Sequence, residues 1–441
     1  MFSKTALRKL IIPLFLEQLL VMFVGIFDTF MISFAGEADV SGVSLVNMLV
    51  TFFLYVFTAL ASGGAVIVSQ YIGRHDEENA NEAASQLLLM SILVSAISAV
   101  GVLIFNEQIL NLLFGNIDFS VMKAGLRYQQ IMAYSYLALG IYNSGAAVCR
   151  SINQTNVTLK ISFLANIINI FGDIIGIFVF HAGVAGVAWP SFLARLFSAV
   201  VITIFCSNVK NKVHYTWRYV LTWHWDMLKR IFKVAIPNSI ENGTFQLIKV
   251  ALSSITALFG TSQIAANGIA QTIWSLSALI VVTMGPVYIT VIGQCMGANK
   301  IDEAEYYFKY LTKLTVVTSV IWNIIIFMLT PLLMSIYPLS NHVKHLVVLL
   351  VLIHNVFSGL VWPFGGALPN GLRAAEDIGF TMYISIASTI FVRLVLSYLL
   401  GVVFNLGVVG IALAMVSDWI VRAIAFIIRY QKGVWKEKVI I

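Results

Sequence analysis

Twelve apolar stretches, each long enough to cross a bilayer as a helix, leave this sequence few folds. They run over residues 10–34, 44–70, 84–105, 127–149, 159–181, 184–206, 234–259, 266–292, 308–331, 343–369, 380–402 and 407–429. About 20 helical residues cover the hydrocarbon, so the longer stretches must tilt or project beyond it. Lipid offers no partner to a backbone amide, and each stretch must close its own hydrogen bonds. The expected class is therefore an all-α membrane protein with twelve transmembrane helices in two parallel six-helix lobes. A soluble fold is excluded because 59% of the residues are hydrophobic and only 11% are charged, against about 25% charged in a soluble domain. The first stretch reads as a spanning helix. Lys4, Arg8 and Lys9 lead into an apolar run too long for a cleaved signal, with no small-residue cleavage site near its end.

The formal charge of +7 does not point to nucleic acid, because the basic residues fall in short segments between the stretches rather than in one patch. With a cytoplasmic N-terminus, only Lys123, Arg127 and Lys344 of the 27 Lys and Arg lie outside, and Arg195, Lys249, Arg393 and Arg422 lie within stretches. The remaining 20 face the cytoplasm. The positive-inside rule then puts both termini in the cytoplasm. Compact loops suggest the plasma membrane of a bacterium. Cys149, Cys206 and Cys295 match no metal or disulfide framework.

The two halves repeat. A shift of 224 residues places Pro13 on Pro237, Glu17 on Glu241, Gly36 on Gly260, Gln70 on Gln294, Gly73 on Gly297 and Ala80 on Ala304. Arg150 falls near Arg373, and Gly183-Val-Ala-Gly186 corresponds to Gly407-Val-Val-Gly410. Six crossings per half make the repeats parallel, related by an axis along the membrane normal. The expected division is an N-lobe over 1–206, a cytoplasmic linker over 207–233 and a C-lobe over 234–441. Trp217, Trp223 and Trp225 in the linker fit an amphipathic segment at the membrane surface or an ordinary solvated connection. Because one chain supplies both lobes, a monomer suffices.

Charges within hydrocarbon are costly and need a reason. Glu17 and Asp28 share a face of the first stretch, roughly 16 Å apart. Asn166, Asn169 and Asp173 form a polar stripe on the fifth. An acid flanked by amides can hold a proton or a monovalent cation, or simply complete an interhelical hydrogen-bond network. Glu17 and Glu241 each follow a helix proline by four residues, as paired cavity acids or as partners for backbone groups the proline frees. Asp418 and Arg422 have the spacing of an intrahelical ion pair. Arg195 and Arg393 either snorkel or pair across the bundle. Lys249 aligns with Gly25 and is either a tethered cation in the cavity or the partner of an acid.

Tyr136, Trp274, Met284 and Tyr288 are candidates to line an amphipathic cavity and stack on organic cations; the alternative for each is packing or lipid contact. No nucleotide-binding, zinc or nucleophile-elbow motif appears. The chain is expected to be neither an enzyme nor a user of ATP, and no cofactor is expected.

These residues together resemble the multidrug and toxic compound extrusion (MATE) family over essentially the whole chain. The resemblance rests on Pro13 to Glu17 with Asp28-Thr29, Gly36 to Val43, Gln70-Tyr-Ile-Gly73, Tyr128, Tyr142-Asn143, Arg150, Asn166/Asn169/Asp173 and Gly183 to Gly186. Ile236 to Phe245 and Gln294-Cys-Met-Gly297 continue it in the second half. It implies two lobes in a V, and an antiporter that exports amphipathic, often cationic compounds in exchange for H⁺ or Na⁺. Asp28 and Asp173 look like the family's aspartates on helices one and five. Asn169 and Ser191 fall where its N-lobe polar cluster continues, so that Na⁺ or H⁺ would sit at Asp28 and Asp173. Two departures stand out: Cys149-Arg150-Ser151 replaces the usual Leu-Arg-Gly, and no acid on the tenth stretch accompanies Glu241.

The expected function is a cation-coupled exporter of small amphipathic molecules. A flippase for a lipid-linked precursor is the alternative; it would favour a basic cavity, which Lys249, Arg195 and Arg393 leave open. An intramembrane enzyme would need convergent catalytic groups, and none is visible.

Overall fold

The computed structural model describes residues 2–115, 117–336 and 340–438. Long helices dominate: α1 Lys4–Ile32, α2 Glu37–Gly73, α3 Glu77–Ile104, α4 Asn106–Phe114, α5 Phe119–Ser151, α6 Thr155–Ile174 and α7 Val184–Cys206. There follow α8 Trp217–Leu221, α9 Trp225–Ala257, α10 Thr261–Ser277, α11 Leu279–Gly297, α12 Ile301–Ile336 and α13 Asn341–Leu360. The last are α14 Leu368–Ala374, α15 Ile378–Ala387, α16 Val395–Tyr398 and α17 Val408–Gln431. Loop side chains close several N-termini, as where Asp76 accepts from the Asn79 amide at 3.1 Å.

Ten helices among the described residues are long and apolar enough to cross a membrane. The fourth and seventh sequence stretches, within α5 and α9, are the exceptions. α5 is buried along most of its length among α2, α3 and α7. Its neighbours reward small residues there: a Cβ on Gly140 would lie 2.7 Å from Ser95 Cβ, and one on Gly145 would lie 2.6 Å from Ile202 Cγ1. α9 carries Asn238, Glu241, Asn242 and Lys249 along its length. The eighth stretch is interrupted at Ala278, whose amide bonds back to Trp274 O at 2.8 Å. Large apolar side chains such as Phe23, Phe30, Ile97, Leu247 and Met328 point outward, as a lipid-facing surface requires.

The chain forms two compact units, Phe2–Ser239 and Ile240–Ile441, with the division inside α9. The repeat seen in the sequence extends to backbone details. Gly183 and Gly407 precede α7 and α17 with φ of 57° and 58°, a left-handed conformation in which a Cβ is strained. Asp39 binds the Val184 amide, and Gln263 Oε1, 224 residues on, accepts from the Val408 amide at 2.9 Å. A π-helical segment follows α6 at Ile175–Val179 and recurs at Leu399–Val403. Two further π segments, Pro363–Ala367 and Ser388–Leu394, lie in the second unit.

Residues 207–224 lie along α3. Gln86 Nε2 donates to Tyr219 O and Thr222 O, at 2.5 and 2.8 Å, and His224 pairs with Glu82 at 2.9 Å. Trp217, Trp223 and Trp225 remain exposed, the latter two stacked 6.1 Å apart. The three cysteines are buried and form no disulfide among the described residues.

Candidate functional site

α1 and α6 pack side by side, and the polar stripe of α6 faces Asp28. Asn169 and Asp173 lie four residues apart, one turn on the same face. The Asn169 amide nitrogen donates to Asp28 Oδ1 at 2.7 Å and to Asp173 Oδ2 at 3.2 Å. One amide thus bridges two carboxyls. Asp173 is fully buried; its Oδ1 has no donor among the described residues with both acids ionised, and its carboxyl lies within hydrogen-bonding reach of the Asp28 carboxyl. Asn166, one turn earlier, is half-buried with its Nδ2 likewise unpartnered.

The backbone around Asp173 is held by close approach of α7. A Cβ on Gly172 would lie 2.5 Å from Pro190 Cβ, and one on Gly176 would lie 2.2 Å from Gly186 O. Only glycine permits this spacing, and it brings the buried Ser191, beside Pro190, to the same level of the bundle.

α7 also supplies Arg195, whose Nη1 donates to Ser135 Oγ at 2.6 Å. Its guanidinium lies within electrostatic reach of Asp28 and of Tyr128. The Tyr128 hydroxyl donates to Asn47 Oδ1 at 3.3 Å. Arg195 therefore points into the acidic cluster instead of snorkelling. Two carboxyls and one guanidinium carry one uncompensated negative charge when both acids are ionised. In a low-dielectric interior such a cluster favours one added positive charge. The sequence offered a signal for Arg195, a lone basic residue inside an apolar stretch, but none for Ser135 and Asn47, which hold Arg195 and Tyr128.

Glu17 and Glu241 belong to a different arrangement, each paired with an arginine of its own unit. The hydrogen bonds each carboxylate accepts among the described residues come from side chains. Glu17 is 3% exposed. It accepts from Arg150 Nη2 at 3.2 Å, the Tyr142 hydroxyl at 3.2 Å and Thr158 Oγ1 at 2.7 Å. Glu241 accepts both of its bonds from Arg373 Nη2, at 2.8 and 2.6 Å, and Arg373 also donates to Asn370 Oδ1 and Thr381 Oγ1. The two pairs are equivalent under the repeat. Sequence alignment matched the glutamates and arginines separately; only the fold joins them.

Of the candidate cavity residues, Tyr136, Met284 and Tyr288 are buried, Trp274 is half-buried and Lys249 is exposed. Tyr136 is fully buried against Phe53, ring centroids 4.8 Å apart. Met284 and Tyr288 are buried in the second unit, with the Tyr288 hydroxyl 2.8 Å from Thr312 Oγ1. Trp274 stacks on Trp419 at 5.8 Å. Lys249 is exposed on α9. The ion pair expected between Asp418 and Arg422 is present at 2.9 Å.

A family model described as MatE matches residues 13–175 and 237–399, two intervals related by the internal repeat. An uncharacterized transporter of Bacillus subtilis (strain 168), YisQ, is 26% identical, covering 99% of this chain and 98% of its own length. A probable multidrug resistance protein NorM of Thermotoga maritima is 23% identical over 99% of this chain and 94% of its own. Among solved structures, a multidrug resistance MATE family transporter of the MOP superfamily in an outward-facing conformation matches with TM-score 0.91 at 19% identity, covering 98% of this chain and 96% of its own. A MOP superfamily transporter from Pyrococcus furiosus matches with TM-score 0.89 at 19% identity, covering 99% and 97%. At such identities these structures establish the two-lobed fold.

Proposed function

The chain belongs to the MatE family, and on that premise we propose that this multi-pass membrane transporter is an antiporter. It exports small amphipathic organic compounds, cations among them, in exchange for H⁺ or Na⁺ by alternating access of its two lobes. The observation that carries the coupling site is the single Asn169 amide shared by Asp28 and Asp173, two carboxyls within hydrogen-bonding reach of each other, with one Asp173 oxygen buried and without a donor when both are ionised. A proton or a sodium ion there supplies the missing positive charge and satisfies that oxygen. Arg195 limits the cluster to about one such charge, because with both acids ionised it has already cancelled the other.

Loading the cluster neutralises the Asp28 carboxylate and weakens the charge-assisted hydrogen bond from Asn169 that ties the end of α1 to α6. Unloading restores it. Asp28 lies four residues before the C-terminus of α1, one turn ahead of the buried Met31 and Ile32, so a movement there is passed directly to the packed core of the first unit. Such a movement would let ion binding change the geometry around the substrate. The chain acts as a monomer in the cell membrane with both termini cytoplasmic, as its basic loops favour.

The test is efflux of an amphipathic dye from proteoliposomes under an imposed H⁺ or Na⁺ gradient. Asp28→Asn and Asp173→Asn should each abolish gradient-driven efflux while the protein stays folded. Unchanged gradient-driven efflux in the double variant would remove these residues from coupling.

A further inference from the structure

The second unit carries a charge arrangement opposite to that of the first. Lys249, Arg393, Asp418 and Arg422 all lie near the middle of apolar stretches. Of the acids after Ile240, only Asp418 shares that depth; Glu241 is taken by Arg373, and the others lie at helix ends or in loops.

Asp418 is committed through Oδ1, while its buried Oδ2 has no hydrogen-bond partner among the described residues. Its Oδ1 accepts from Arg422 Nε at 2.9 Å and from Ser388 Oγ at 2.5 Å. Arg422 is held further by Ser385 O at 3.2 Å and by the Thr389 hydroxyl. Arg393 comes only within 3.9 Å of Asp418 Oδ2, too long for a hydrogen bond. Its Nε is buried without a partner, although the residue is only 7% exposed. Two guanidiniums therefore face one carboxylate, and Lys249 adds a third positive charge within electrostatic reach of Arg393. His354 is 1% exposed, also within reach of Arg393, and both its ring nitrogens are unpartnered. Three cations and one carboxylate leave this cluster net positive, with Arg393 Nε lacking an acceptor; an under-compensated buried guanidinium costs several kcal/mol, so a further acceptor is missing.

The local backbone suits a ligand position. Arg393 lies in the π segment Ser388–Leu394, which has no equivalent π segment among the described residues of the first unit. π turns of this kind gather at functional sites. The guanidinium lies over the half-buried Phe245 ring at 5.1 Å. Phe245 and the exposed Lys249 are four residues apart on α9, on one face. An aromatic ring and an ammonium thus lead to a donor-rich guanidinium.

We propose that Arg393, with Lys249 and His354, forms an oxyanion site that takes the carboxylate or phosphate of an amphipathic molecule lying against Phe245. The inference deepens the exporter reading: it makes the substrate anionic or zwitterionic, with its oxyanion held in the second unit and the coupling ion in the first. Guanidinium and carboxylate or phosphate match in a bidentate geometry that an ammonium alone does not offer.

The experiment uses the full chain in phosphatidylcholine nanodiscs and two dyes on one scaffold, fluorescein as the anion and rhodamine 123 as the cation. Fluorescence anisotropy should show fluorescein binding that Arg393→Gln weakens about tenfold or more, as loss of a charged hydrogen bond implies. Arg393→Lys should weaken it less, and rhodamine 123 should not respond. Lys249→Gln, at an exposed position, gives a second reading should Arg393→Gln misfold; it should weaken fluorescein as well. Displacement by benzoate would mark a free organic carboxylate as the occupant, and displacement only by phosphatidylglycerol in the disc would mark a lipid headgroup. No fluorescein binding, or equal affinity in wild type and both neutral variants, overturns the site. Rhodamine 123 efflux without fluorescein binding would leave the exporter standing and the anion site refuted. Fluorescein binding without gradient-driven transport of either dye would do the reverse.

Discussion

Removing the Glu17 carboxylate separates a structural ion pair from a coupling acid. Glu17 and Arg150 expose 4% and 17% of their side chains, and Thr158 and Tyr142 complete the carboxylate's hydrogen bonds. Taking away one member of a buried pair costs about 3–5 kcal/mol, because the other is left as a poorly solvated charge. Glu17→Ala should fall near the top of that range, since two hydroxyls lose their acceptor as well. Glu241 and Arg373 are exposed by 16% and 13%, and Arg373 keeps Asn370 and Thr381 as partners. Glu241→Ala should therefore cost less, about 2–3 kcal/mol. The assay is thermal unfolding in detergent, followed by a dye that becomes fluorescent on reacting with the three buried thiols. A double-mutant cycle with Arg150→Ala should return a coupling energy of at least about 1 kcal/mol for residues in direct contact. Glu17→Gln should lower the melting temperature yet keep gradient-driven efflux in the protein that remains folded. A Glu17→Gln variant as stable as wild type but uncoupled would refute the reasoning and return Glu17 to the ion pathway.

Other positions give sharp expectations. Gly176→Val places a branched side chain where a Cβ alone would be 2.2 Å from Gly186 O; expression of folded protein should collapse, as size-exclusion chromatography would show, whereas Gly25→Ala, with open space around it, should be tolerated. Burial opposes ionisation of Asp377, but hydrogen bonds and charge from Arg429 and Lys438 outweigh it and hold its pKa below the ordinary range. Its contribution is present above the ordinary pKa of about 3.9 and is lost as pH falls through the lower folded value. Asp377→Asn should thus lower the melting temperature at pH 7, and by progressively less below about pH 4, followed by tryptophan fluorescence. Gln86→Ala leaves the Tyr219 and Thr222 carbonyls without their amide donor; residues 207–224 should become cleavable by protease while the helices stay intact.

The sequence alone determined the class, the repeat and the polar positions. Hydropathy is a property of short windows, and in lipid a window of the right length has one way to satisfy its backbone. Duplication left Pro13 with Pro237 and Gly183 with Gly407 at matched positions, and the structure gives each glycine the same left-handed turn. The stripe of Asn169 and Asp173 was legible because helical spacing is fixed by geometry. Partnership was not legible. Glu17 meets Arg150 across 133 residues, and Glu241 meets Arg373 across 132, distances over which no local pattern carries information. The direction of Arg195 into the acidic cluster and the burial of Tyr136, Met284 and Tyr288 depend on how helices rotate about their axes. That rotation is set by close contacts such as Gly172 with Pro190, not by the apolar character that all these helices share. Tertiary structure alone decided which buried charges are neutralised by a neighbour and which, like Asp173 and Arg393, keep an unsatisfied atom, because compensation is a matter of ångströms between segments far apart in the chain.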